Sequence, residues 1–126
     1  MSRATSDRKD LVREYKKAPK TMGVYLIRNV ENGKCYVASS RDIRARHNRH
    51  RMNLKMNDER VGVEALQADW NALGADAFVF ETVDVLEPSP EPGYDPDEDL
   101  QVLEDLWLEK LQPFGDNGYN KSPKDV

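Results

Sequence analysis

A chain of 126 residues with 38% apolar and 33% charged side chains is long enough for one hydrophobic core, and its aromatic and apolar content excludes a disordered segment. The lone Cys35 excludes an internal disulfide framework and any zinc site built on two or more thiolates, and the clearest apolar runs, Val24–Ile27 and Ala77–Phe80, fall far short of the roughly 18–20 residues a membrane span needs. The net charge of −4 conceals a division: residues 1–57 carry +10 and residues 58–126 carry −14, so the first half is compatible with a polyanionic partner despite the acidic total.

Residues 5–17 read as a short helix with Ser6 as N-cap and Leu11, Val12 and Tyr15 as an apolar stripe, ended by Ala18-Pro19. Residues 1–20 are therefore expected to be an N-terminal helical arm. The opening MSRATSDRKD has no apolar h-region, so no signal peptide is expected. The default is a soluble cytoplasmic protein with a reduced thiol.

Residues 23–30 and 34–38 read as two strands joined by Asn32-Gly33, a strong two-residue hairpin signal. A type I′ turn there would pair Glu31 with Lys34, Asn29 with Tyr36 and Ile27 with Ala38. Tyr25, Ile27, Asn29, Tyr36 and Ala38 would then share one face.

Residues 40–55 read as a helix begun by a capping box of Ser39 and Asp42. Ile43, His47, His50 and Leu54 fall on one side. Arg41, Arg44, Arg46, Arg49 and Arg51 cover the others. Arg46 and His50, at i and i+4, line one side together and could hold a phosphate oxygen and move a proton; a plain basic surface accounts for them equally. His47-x-x-His50 lacks a third ligand at zinc spacing.

Residues 61–73 read as a second helix with Val63, Leu66, Trp70 and Leu73 as its stripe and Gly74 as its C-terminal cap. Residues 77–85 read as a third strand. Residues 87–99 read as a solvated acidic loop; the segment from Asp95 begins like a calcium-binding loop, but Leu100 and Leu106 stand where glycine and glutamate are needed. Residues 98–111 read as the last helix. Wound at about 100° per residue, it places Glu104 among Leu100, Trp107, Leu108 and Leu111, while Asp105 and Glu109 point outward. A carboxylate on an apolar stripe is paired with a cation or serves as a ligand or catalyst; a buried arginine salt bridge and a metal or catalytic role both remain open. Asn120 alone suits a turn.

Taken in order, these residues resemble a known family. Gly23-Val24-Tyr25, ten residues, then Tyr36-Val37-Ala38 is similar to the paired signature of the GIY-YIG nucleases. Arg46 and His50 resemble the family's Arg-x-x-x-His. Leu66-Gln67-x-x-Trp70, Gly74 and Phe78-x-Phe80 resemble its second helix and third strand. Glu104-x-x-Trp107 and Gly118-Tyr119-Asn120 resemble its glutamate segment and closing asparagine. The likeness spans roughly residues 21–122, leaving 123–126 as a tail. The chain departs from the pattern in two ways: Ala38 stands for the second signature's glycine, and Val61 and Val63 stand where many members carry a histidine or asparagine.

The resemblance implies an α/β (α+β) fold, a small three-stranded antiparallel sheet flanked by helices, and an endonuclease hydrolysing DNA phosphodiester bonds. It implies Glu104 as ligand of one divalent cation, Mg2+ with Mn2+ as second candidate, and Arg46 against the phosphoryl oxygens. It implies Tyr25 as first choice for general base, Tyr36 as orienting the water or exchanging roles with Tyr25, His50 as acceptor of the tyrosine proton, and Asn120 as a positioning group. Magnesium keeps most of its waters and takes one or two carboxylates, so a lone glutamate suffices chemically. Arg41, Arg44, Arg49, Arg51 and Lys55 are expected to contact the DNA backbone. With no appended DNA reader, specificity is expected to come from DNA structure or from a protein partner. A catalytically weak nucleic-acid-binding module on the same scaffold is the alternative. Repair, mobile-element transfer and restriction all use this family.

Overall fold

A computed structural model describes residues 20–59 and 64–121. The expected arm helix at 5–17 and the positions Val61 and Val63 lie outside the described residues. Three strands, β1 (Gly23–Asn29), β2 (Cys35–Ser40) and β3 (Phe78–Val85), form an antiparallel sheet in the order β2-β1-β3. Helices α1 (Ile43–Lys55), α2 (Glu64–Leu73) and α3 (Asp97–Leu111) flank it. The fold is the small α+β sheet expected.

The sheet's alternation divides the core in two. On one face Tyr25, Ile27, Tyr36 and Phe78 pack with Ile43 and Leu54 of α1, Leu66 and Trp70 of α2, and Tyr119. On the other, Val24, Leu26 and Val37 meet Leu103, Trp107 and Leu108 of α3. The Trp107 indole donates to Asp84 on β3 at 2.9 Å, fixing α3 across the sheet.

The hairpin differs from the expected one by two residues. Tyr25 pairs with Ala38 and Ile27 with Tyr36. The loop runs from Val30 to Gly33, closed by Asn29 N–H donating to the Lys34 carbonyl at 2.8 Å. Two asparagine side chains favour this longer loop: Asn29 Oδ1 accepts from Glu31 N, Asn32 Oδ1 accepts from Lys34 N, and Gly33 takes the positive φ of 79°. A slip of one residue would have inverted every side chain; a slip of two preserves both faces, so Tyr25, Tyr36 and Ala38 still share one.

Strand β2 runs two residues further than expected, and α1 starts correspondingly later. Its N-cap is Asp42, whose carboxylate accepts from Ala45 N, rather than Ser39. Ser39 is engaged elsewhere. The apolar stripes also end early: Leu73 is 46% exposed and Leu111 37% exposed, while Leu66, Trp70 and Leu100 are buried. Gly74 ends α2 as expected, with φ of 88°. Helix α3 begins inside the acidic stretch, at Asp97.

Gly23 has a steric role. A Cβ there would lie 1.9 Å from the Asp84 carbonyl oxygen, and the backbone has φ of 153°. The bulge between Val24 and Tyr25, where β1 meets β3, thus needs glycine at the entry to β1.

Candidate active site

Edge strand β2 organises the site. Its outward-facing backbone groups would be open to pairing with another chain, and they are instead satisfied one after another. The Cys35 carbonyl accepts from Tyr119 N at 2.9 Å. Val37 is clamped on both sides by Asn120, whose amide accepts from Val37 N at 2.8 Å and donates to Val37 O at 2.7 Å. Ser39 donates its N–H and its hydroxyl to Glu104 Oε1, at 2.8 and 3.0 Å. Between these outward groups, Tyr36 and Ala38 face the α1 side.

Asn120 is therefore a positioning residue committed to backbone. The segment carrying it is fixed by the buried Tyr119, which donates to Asp69 at 2.6 Å and accepts from Asn29. Gly118 is required beneath it, since a Cβ would fall 2.4 Å from the Pro113 carbonyl oxygen. Removing the Asn120 amide strands both polar groups of Val37. Asn120→Ala is expected to cost about 1–3 kcal/mol, read as a lowered midpoint in urea denaturation.

Glu104 sits on α3, half-buried as the stripe predicted, but the ion pairs among the described residues leave it out. The buried arginine bridge is thereby excluded among those residues. Among the described residues its Oε2 has only a long contact from Gln101, at 3.3 Å. No group of three or more histidine, cysteine, aspartate or glutamate side chains could enclose a metal among the described residues. A single carboxylate with one oxygen little used suits a cation that retains its waters, and does not suit a dehydrated cage.

On the α1 side, the Tyr25 hydroxyl meets His50 Nε2 at 2.8 Å, and both residues are fully or almost fully buried. The Tyr36 ring stands edge-on to His50, with centroids 5.8 Å apart. Arg46, half-exposed one turn before His50, pulls the Tyr25 pKa down, while Glu59 and Glu104 push it up. Burial outweighs all of these and raises the Tyr25 pKa above the ordinary phenol value. Tyr36 is raised further, again chiefly by burial, with Tyr25 and Glu104 adding to it. A phenol made acidic by a neighbouring arginine is thus not what the fold provides. Both tyrosines hold their protons at neutral pH, and Tyr25 has an acceptor waiting.

The basic helix is used unevenly. Arg41 is held by Asp97 and Asp95 at 2.8 and 2.9 Å, so the acidic stretch occupies the first of the expected phosphate contacts. Arg51 lies over the Phe80 ring, 4.2 Å from its centroid. Arg44, Arg49 and Lys55 are exposed along the same helix. His47 packs edge-on against Tyr25 and Phe80, and burial depresses its pKa to about 4, with Arg51 and His50 acting in the same direction. It is half-buried against the core, in keeping with its place on the stripe.

Ala38 lies on an extended strand and packs against the core beside Tyr25. Among the described residues, positive φ outside glycine occurs only at Asn57 and Gln112, so alanine is unstrained at position 38. Ala38→Gly is accordingly expected to leave cleavage within threefold of wild type and to lower stability by about 0.5–1 kcal/mol, measured by parallel rate and denaturation assays.

Three residues were missed in the sequence. Glu59, with a fully buried side chain, meets His50 Nδ1 at 2.9 Å. Ser39 holds Glu104. Gln67 accepts from Glu59 N and donates to the Leu54 carbonyl, each at 3.0 Å. Gln67 had a signal, the Leu-Gln pair; Glu59 and Ser39 had none, because periodicity does not link a helix to a residue beyond its end or a strand to a distant helix.

The family model that matches this sequence is the GIY-YIG catalytic domain, over residues 21–120. The chain belongs to the GIY-YIG family. Its fold is similar to the catalytic domain of the intron endonuclease I-TevI in a glutamate-to-alanine mutant, at 25% identity and TM-score 0.64 over 79% of this chain and 92% of that one. It is also similar to the catalytic domain of homing endonuclease I-TevI, at 27% identity and TM-score 0.63 over 80% and 98%. No curated protein matches the sequence. Membership of this GIY-YIG family makes the chain a DNA endonuclease by class. No helix among the described residues is long and apolar enough to cross a membrane.

Proposed function

We propose that this GIY-YIG protein cuts DNA by hydrolysis, with Tyr25 as general base, His50 as acceptor of its proton and Glu104 as ligand of one divalent cation, Mg2+ ahead of Mn2+. The observation that carries the reading is the 2.8 Å contact between the Tyr25 hydroxyl and His50, buried within the field of Arg46 and Glu104. Divalent-metal dependence is general in the family. When bound, the cation would polarise a phosphate oxygen and stabilise the departing 3′ oxygen.

The chain's own residues supply the rest. Arg46 neutralises charge developing on the phosphoryl oxygens. Tyr25 receives the proton of the attacking water as it passes its own to His50. Tyr36, kept protonated by burial, acts as a hydrogen-bond donor that orients the water. Asn120 keeps β2, and with it Tyr36 and Ser39, in register. Arg44, Arg49, Arg51 and Lys55 carry the DNA backbone; Arg41 joins them when phosphate displaces Asp95 and Asp97. Specificity comes from DNA structure or a protein partner in the cytoplasm.

Supercoiled plasmid incubated with the purified protein and Mg2+, Mn2+ or EDTA tests this. Nicking or linearisation with either metal and none with EDTA is the expected result. Salt-sensitive binding without cleavage under any metal would replace it with the binding-module reading.

A further inference from the structure

We infer that Glu59 is a positioning residue for this chemistry: its buried carboxylate fixes the tautomer of His50 so that Nε2 accepts the Tyr25 proton, and then stabilises the imidazolium that results. The inference rests on the nuclease reading above and assigns a residue that neither the signature motifs nor the sequence pattern marks.

The geometry is that of a linear relay. Tyr25 Oη, His50 Nε2, His50 Nδ1 and Glu59 Oε2 succeed one another at 2.8 and 2.9 Å. His50 is 2% exposed, and the Glu59 side chain is wholly buried. In the assigned tautomer the Tyr25 hydroxyl, which keeps its proton, donates and Nε2 accepts. A neutral imidazole that accepts at Nε2 carries its proton on Nδ1, where Glu59 accepts it.

The fold is built to bring Glu59 there. Asn57, at φ of 58°, turns the chain after α1. Gln67 on α2 then accepts from Glu59 N while donating to the Leu54 carbonyl at the end of α1. Asn71 supports Gln67 and is tied to Asn57 in turn. The chain is thus turned back to lie beneath a histidine one helix earlier.

In the step itself, the water oxygen bonds to phosphorus and the bond from phosphorus to the 3′ oxygen breaks. The water's proton goes to Tyr25 Oη as the Tyr25 proton goes to His50 Nε2. Glu59 remains a carboxylate throughout, facing an Nδ1–H that is never transferred. The departing 3′ oxygen takes a proton from solvent, and His50 later releases one. A carboxylate oriented on an imidazole acts in this way wherever a histidine serves as base to a hydroxyl.

Single-turnover cleavage and DNA binding of wild type, Glu59→Gln, His50→Ala and the double variant test the assignment. Glu59→Gln is expected to lower the rate about 100-fold with DNA affinity unchanged. The double variant is expected to be no slower than His50→Ala, since Glu59 acts only through the imidazole. A Glu59→Gln rate within threefold of wild type, or losses that multiply in the double variant, would overturn it. Nitrogen-detected NMR of the His50 ring in the wild-type protein gives a readout that needs neither a variant nor cleavage. A neutral ring protonated at Nδ1 at pH 7.5 is expected, and an Nε2–H tautomer or an imidazolium would refute the relay. A wild type that does not cut DNA would sink the nuclease reading while the ring's tautomer still decides the geometry.

Discussion

Glu104→Ala is expected to reduce plasmid cleavage in Mg2+ by at least about 1,000-fold, the scale on which a single electrostatic stabiliser of the transition state is felt. Glu104 is half-buried on an otherwise apolar stripe, and among the described residues it neutralises no arginine or lysine. Such a carboxylate is worth its desolvation only if something positive arrives during function. Its structural duty is small and separable. Oε1 accepts from Ser39 N and Oγ, so alanine leaves Ser39 N without its acceptor and costs about 1–3 kcal/mol. Glu104→Gln separates the two effects, because a glutamine oxygen keeps the Ser39 contacts and discards the charge. We expect Glu104→Gln to melt close to wild type and to be as inactive as Glu104→Ala. Isothermal titration with Mg2+ should show binding lost in both. A glutamine variant cutting within tenfold of wild type would make Ser39, not a cation, the reason for Glu104.

Much of this site could be read in advance because its parts fall on regular elements. Tyr25, Tyr36 and Ala38 share a face through the two-residue period of a strand, and that inference survived a wrong turn assignment because the error was an even number of residues. Glu104 stood out because a 3.6-residue period made it anomalous among leucines. Arg46 and His50 followed from i, i+4 spacing. What was not legible depends on contacts between elements. Ser39 looked like a helix cap, yet the strand extends through it and its N–H and hydroxyl meet Glu104 on α3. Glu59 lies beyond a helix end, where direction is set by Asn57 and Gln67 rather than by any repeat. The acidities of the tyrosines were not legible for a related reason. A sequence displays the arginine that lowers a phenol's pKa, but not the depth of burial that raises it more.

That burial makes Tyr25→Phe the most discriminating single-atom change in the protein. The substitution keeps the ring that packs against Ile43, Leu66 and Trp70 and removes only the hydroxyl facing His50. Loss of one hydrogen bond at a buried imidazole should cost about 1–2 kcal/mol of stability. The cleavage rate should fall by about 100- to 10,000-fold, the range for removing a positioned general base. The pH profile then distinguishes two ways of using the phenol. Were a preformed phenolate required, the raised pKa would leave almost none at neutral pH, and the wild-type rate would climb about tenfold per pH unit beyond 10. With His50 as proton acceptor, no preformed phenolate is needed, and the rate should stay level through the phenol range. Among the described residues, Arg46, Glu59 and Glu104 are charged groups that act on Tyr25, and their influence is smaller than that of burial. The expected wild-type profile is therefore flat toward alkaline pH, and Tyr25→Phe should lower the rate without changing that shape. A residual Tyr25→Phe rate within tenfold of wild type would transfer the base to His50 acting on water directly.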